Sequence, residues 1–153
     1  MKLQDLKRDF IFLVVVGLIV ALDQVTKWLM RTRPDIAILG DFFKLSLSKN
    51  TGIAFGLAQG NNLFFAALTG VIVVVLLVYY ATLRREKPLP AALTAVIIGG
   101  AIGNLIDRFV FGEVTDFIAF YFWPSFNIAD AAITLGVIGL IYYLLRNDYL
   151  TGS

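Results

Sequence analysis

Four stretches of the chain are long and apolar enough to cross a bilayer, whose hydrocarbon core takes about 20 helical residues. They run from about Phe10 to Met30, Leu63 to Leu83, Ala91 to Ile106 and Ala131 to Leu145, and the second is uncharged from end to end. The first opens like a secretory signal, with Lys2, Lys7 and Arg8 ahead of the apolar run. No small-residue cleavage site follows and further spans do, so it reads as a retained helix. In the segment from about 34 to 61, Phe43, Leu45 and Leu47 alternate with Lys44, Ser46 and Ser48. That period of two predicts a strand with one apolar face, and so a small sheet lying over the helix ends. Asn50 and Gly52, then Gln59 to Asn62, supply turn formers before the second span. The pattern predicts an all-α membrane protein, one domain over 1–153, with four transmembrane helices and a small extracytoplasmic β-sheet in loop one.

Composition agrees with the pattern. At 59% hydrophobic and 16% charged residues, with a mean hydropathy of +0.82, the chain is too apolar for a soluble domain. The net charge of +2 is mild and the basic residues sit at the ends of apolar runs, where lipid headgroups rather than nucleic acid would meet them. Lys2, Lys7, Arg8, Arg84, Arg85, Lys87 and Arg146 fall on one side; Lys27, Arg31, Arg33, Lys44, Lys49 and Arg108 fall on the other. The short basic turn from Arg84 to Lys87 breaks the near tie. Basic charge in a short loop marks the cytoplasmic side, so both termini are expected there and loops one and three outside.

The residue types that are missing narrow the chemistry. With no Cys and no His, thiol nucleophiles, disulfides, Ser-His triads and zinc held by imidazole or thiolate are excluded. No metal or other cofactor is expected. Catalysis would have to rest on carboxylates, lysines or hydroxyls.

Acids at the membrane boundary are therefore the first candidates, since an ionised Asp near hydrocarbon costs at least a few kcal/mol. Asp116 and Asp130 bracket thirteen uncharged residues, FIAFYFWPSFNIA, which are too few to span and are broken by Pro124. The stretch reads as an aromatic-rich interfacial loop that holds both acids near one membrane surface. Two carboxyls sharing a partly desolvated site cannot both ionise cheaply, so the pair would hold one proton, the arrangement of an aspartic protease. Asp23 and Lys27 stand at i and i+4 in the first span; a helix-end ion pair and a site-facing role both fit. Gly99 and Gly103 read as a helix-packing GxxxG pair. Asn104, Asp107 and Arg108 share the face one turn beyond, and the charged pair could serve a site or simply end the helix and snorkel. A small proton-coupled transporter or channel subunit using Asp23, Asp107, Asp116 and Asp130 as a relay is the rival reading. It would spread acids through the bilayer depth, whereas three of these four fall at the outer boundary.

Five motifs decide between them. Asp23-Gln24-Val25-Thr26-Lys27, Asn50-Thr51-Gly52-Ile53-Ala54-Phe55, Gly103-Asn104-Leu105-Ile106-Asp107-Arg108, Val114-Thr115-Asp116-Phe117 and Phe126-Asn127-Ile128-Ala129-Asp130 occur in that order. Together they resemble the lipoprotein signal peptidases, or signal peptidase II, of bacteria, over nearly the whole chain. The resemblance implies a four-helix inner-membrane aspartic endopeptidase, with a small periplasmic sheet and a further extramembrane helix. Such an enzyme removes signal peptides from prolipoproteins by cutting before a cysteine that already carries diacylglyceryl. It implies Asp116 and Asp130 as the catalytic dyad, with Asn50, Gly52, Asn104, Arg108 and Asn127 around the acids and the substrate backbone. Asp23 and Lys27 would support the structure. The partners expected are the diacylglyceryl-prolipoprotein and membrane lipids, and the enzyme is expected to be a monomer.

Overall fold

The computed structural model describes residues 3–52, 59–83 and 88–146. The Arg84 to Lys87 turn, most of the segment where an extramembrane helix would form, and Thr151 to Ser153 lie outside the described residues. In chain order the elements are α1 (Leu3–Arg31), β1 (Ile36–Ala37), β2 (Phe43–Asn50), α2 (Asn62–Leu83), α3 (Pro88–Phe111), β3 (Val114–Phe120), β4 (Trp123–Phe126) and α4 (Ile128–Arg146). All four helices are long and apolar enough to cross a membrane. They outrun the spans expected from the sequence, because the apolar runs carry on into polar turns at their ends. Pro88 and Pro90 open α3, where a missing N–H costs nothing. Gly112, at φ 74°, ends it in the left-handed conformation that a side chain would strain.

Helix α3 is the interior of the bundle. Over half of its apolar window is buried, against less than a fifth in each of the other three helices. Its glycines allow this. A Cβ on Gly99 would lie 2.8 Å from Cβ of Ile19, on Gly100 2.5 Å from the Ala129 carbonyl oxygen, and on Gly103 2.6 Å from Oδ2 of Asp23. The small-residue face thus seats α1 on one side and the start of α4 on the other, as the GxxxG pattern predicts. Gly100→Ala should destabilise the protein by about 1–3 kcal/mol in a micelle unfolding experiment, the usual cost of overpacking. Gly70→Ala, where a Cβ meets open space, should cause no such overpacking loss. Towards the end away from the sheet, Phe12 stacks on Tyr80 at 3.8 Å and Tyr80 donates to Asp9. The exposed Leu, Val and Ile side chains along α2 suit lipid rather than water.

The sheet is larger than the one expected. It has four antiparallel strands in the order β1-β2-β3-β4, and half of them come from the segment after α3 rather than from loop one. The stretch from Phe117 to Phe126, expected as an interfacial loop, is a hairpin instead. Its aromatics are strand formers, with Phe120 stacked on Phe43 at 4.7 Å. Pro124 is accommodated because β4 is an edge strand, where a ladder N–H can be missing.

The alternation expected for β2 also breaks. Phe43 pairs with Phe120 and Leu45 with Ile118, but Ser48 then pairs with Asp116, so two residues of β2 oppose one of β3. This bulge exposes Leu47 and brings Ser48 and Asn50 onto the face that carries Leu45 and Asp116. Asp35 holds it in place, accepting from the Ser46 hydroxyl at 2.8 Å and the Leu47 N–H at 3.2 Å. Those two bonds lower the Asp35 carboxyl below its usual range.

Candidate active site

The start of α4 explains where Asp130 points. Asn127 precedes the helix, and its Oδ1 accepts from the Asp130 N–H at 2.8 Å, while Asp130 Oδ2 accepts from the Asn127 N–H at 3.2 Å. This is a reciprocal capping box, so Asn127 and Asp130 are spaced as a helix N-terminus requires. The other oxygen of Asp130 accepts from Asn104 Nδ2 at 2.8 Å.

Asp116 comes to the same place on β3. Its Oδ1 accepts from Asn127 Nδ2 at 2.7 Å and its Oδ2 from Asn50 Nδ2 at 3.1 Å. Asn127 therefore bonds to both acids, by its side-chain amide to one and by its main chain and carbonyl to the other. Asn50 is in turn turned towards Asp116 by the Gly52 N–H, which donates to its Oδ1 at 3.0 Å. Asp116 is 2% exposed. Burial pushes its carboxyl up to about 7 and the nearby Asp130 charge adds to the rise, against the Asn50 and Asn127 bonds and the Lys27 charge.

Both acids line a cavity of about 580 Å³ with Asn50, Gly52, Asn104 and Arg108, and its wall continues down α4 along Ile133 and Leu135. Arg108 donates to the Gly52 carbonyl at 3.4 Å, and its buried Nε has no partner among the described residues. A second cavity, of about 430 Å³, adjoins the first and shares Asn50, Asp116, Trp123, Pro124 and Ser125 with it. Among the described residues no three carboxylates gather closely enough to hold a metal ion.

Beneath the cavity lies a buried ionic network. Asp23, Lys27 and Asp107 are each 0% exposed; Lys27 Nζ is 2.8 Å from Asp23 and 3.4 Å from Asp107. The i,i+4 pair is present, buried rather than exposed at a helix end, and each member also bonds to another helix. Lys27 donates to Asn104 Oδ1 at 3.0 Å, which turns the Asn104 amide nitrogen towards Asp130. Asp23 accepts from the Ala129 N–H at 2.9 Å and so holds the first turn of α4. Asp107 does not snorkel at a helix end: it faces inwards, accepting from the Thr115 N–H at 2.8 Å and pairing with Arg31 at 2.9 Å.

The nine residues that the resemblance assigns to the dyad and its surroundings thus lie in or next to one cavity, with Asp107 among their neighbours. Gln24, Arg31 and Thr115 were not singled out. Gln24 donates to Asp23, Asp107 and the Gly103 carbonyl. A helical count would have found Arg31, because Asp23, Lys27 and Arg31 follow one another at i, i+4 and i+8 along one face.

Four apolar helices, a sheet over one end and two acids bridged by a single asparagine constitute a polytopic membrane protein with a paired-carboxylate site. The sequence profile described as Signal peptidase (SPase) II matches residues 15–146, and the chain belongs to that family of membrane proteases. It is 40% identical over 138 residues to the lipoprotein signal peptidase of Moorella thermoacetica, covering 88% of this chain and 92% of that one. To the lipoprotein signal peptidase of Halothermothrix orenii it is 40% identical over 139 residues, covering 88% and 95%. A solved structure of a bacterial membrane enzyme, determined by the in meso method at 2.3 Å, superposes with a TM-score of 0.80 at 30% identity, over 90% of this chain and 88% of that one.

Proposed function

We propose that this protein is an aspartic endopeptidase that removes signal peptides from diacylglyceryl-modified prolipoproteins, with Asp116 and Asp130 as the dyad. The observation that carries the reading is the bridge through Asn127, which ties both carboxyls to one cavity. The pair holds one proton. The ionised acid removes a proton from water as its oxygen attacks the scissile carbonyl, and the protonated acid hydrogen-bonds to the carbonyl oxygen and polarises it. When the tetrahedral intermediate collapses, the C–N bond breaks and a proton passes to the leaving amine. The products are a signal peptide ending in a carboxyl group and a lipidated cysteine with a free amine. Nε of Arg108, which has no partner among the described residues, is a donor suited to a substrate carbonyl.

Depth supplies part of the specificity. A diacylglyceryl group stays in lipid and holds the cleavage point at headgroup level, while the Ile133 and Leu135 wall guides the acyl chains towards the dyad. With the termini cytoplasmic, the dyad lies near the outer face of a bacterial inner membrane. Incubation of the purified protein in detergent with modified and unmodified prolipoprotein tests this. Signal peptide should be released only from the modified form, leaving lipidated cysteine at the new N-terminus; equal cutting of both forms, or a cut elsewhere, would sink the reading. Trp123 lines both cavities and is 56% exposed. Trp123→Ala should raise KM more than it lowers kcat, and a steady-state titration with the lipidated substrate would show it.

A further inference from the structure

Arg31 ends α1 against Thr115, the residue before Asp116, and bonds to neither acid of the dyad. Its guanidinium makes three separate contacts. Nε donates to Thr115 Oγ1 at 2.9 Å with Nη2 also donating there, Nη2 lies 2.9 Å from Asp107 Oδ1, and Cζ sits 3.9 Å over the Phe111 ring. Thr115 is 5% exposed, and each of its polar groups is engaged. Its N–H donates to Asp107, its hydroxyl accepts from Arg31, and its carbonyl accepts at 3.3 Å from Asn127 Nδ2, the amide that also donates to Asp116. The peptide that leads into Asp116 is therefore gripped from both sides of the strand. A planar fork makes the Thr115 and Asp107 contacts through two nitrogens while lying on the ring, whereas a lysine would have to reach all three partners from one nitrogen.

We propose that Arg31 is a positioning residue for the reaction, clamping Thr115 against Asp107 and so setting the Asp116 carboxyl relative to Asp130. The inference rests on the dyad reading above. Arg31 is not needed to join α1 to α3, because the buried Lys27 already pairs with Asp107 and donates to Asn104 across that interface. Its loss should therefore show in turnover rather than in assembly. A misplacement of about 1 Å in a reacting group costs up to about a hundredfold in rate.

The test measures kcat, KM and the pH profile of purified Arg31→Met, Arg31→Lys, Thr115→Val and the Arg31→Met/Thr115→Val double variant, beside Asp116→Asn. Thr115→Val keeps the shape of the buried side chain and removes only the hydroxyl. Arg31→Met and Thr115→Val should each lower kcat roughly tenfold to a hundredfold with KM within about twofold of wild type. Arg31→Lys should recover little, and the double variant should be no slower than the slower single one, because both break one clamp. The limb of the profile set by Asp116 should move to lower pH as the loosened carboxyl meets water. Arg33→Met, one turn end away and exposed, should behave as wild type. If Thr115→Val and Arg31→Met keep wild-type kcat while Asp116→Asn is inactive, the clamp is wrong and the dyad stands. Multiplying losses in the double variant would also overturn it. Activity surviving in Asp116→Asn would instead remove the dyad reading on which the inference rests.

Discussion

Asp116→Asn and Asp130→Asn should each lower kcat by about a thousandfold or more, with a much smaller change in KM. Asparagine keeps the shape of either acid and one of the two hydrogen bonds its carboxylate accepts, but it can neither accept a proton from water nor return one to an amine, and such transfers are worth about 10²–10⁴ in rate. Single-turnover cleavage of a diacylglyceryl-modified prolipoprotein checks it; turnover in either variant near that of wild type would rule out a two-acid mechanism. A stability measurement separates loss of chemistry from loss of fold. The Asp116 carboxyl is pushed up to about 7 in the folded protein, against about 3.9 in an unfolded chain. The folded form thus binds this proton more tightly, and the stability it confers is complete below about pH 4 and is lost as pH rises through 7. Asparagine has no such dependence. The difference in Tm between Asp116→Asn and wild type should therefore grow in favour of the variant from pH 5 to pH 8, whatever constant offset the substitution adds. A flat difference would show that the carboxyl is not held in this state.

The largest loss of stability should come from Lys27→Met. Lys27 is the ammonium shared by Asp23 and Asp107, and all three side chains are fully buried. Removing one partner of a buried ion pair leaves an uncompensated charge and costs about 3–5 kcal/mol. Here Arg31 still neutralises Asp107, so Asp23 is the acid left exposed to that cost. Lys27→Met/Asp23→Asn should then recover a good part of the loss. Unfolding in mixed micelles provides the readout, and a single-variant loss below about 1 kcal/mol would mean that water reaches the network. Activity should fall as well, since Asn104 would lose the contact that turns its amide towards Asp130.

Much of this was legible in the chain. The spans follow from runs of apolar residues, and the acids stood out because carboxylates beside hydrocarbon are costly. The Phe126-to-Asp130 motif carries its own geometry, because a capping box fixes the distance between Asn127 and Asp130 locally. What could not be read depended on contacts distant in sequence. The hairpin from Val114 to Phe126 looked like a membrane anchor because aromatic residues favour both the headgroup layer and strands, and only pairing with β2 decides between them. For Asp107 the sequence leaves a site role and a helix-end charge both open, because its partners, Lys27, Arg31 and Thr115, lie in two other elements. The rival relay reading loses two of its four acids to the same contacts: Asp23 and Asp107 are already neutralised by neighbouring cations.

The bulge in β2 bears on the protonation of the site. In a regular strand of the same length the two faces of β2 would trade places beyond Leu45, and Lys49 rather than Asn50 would stand beside Asp116. An ammonium there would favour the ionised carboxylate, whereas an amide donor leaves burial to dominate. Lys49 instead points away, 68% exposed and paired with Glu113. Whether Asp116 can retain a proton at neutral pH is thus a matter of parity: an odd residue, counted between Leu45 and Ser48, decides which neighbour the acid meets.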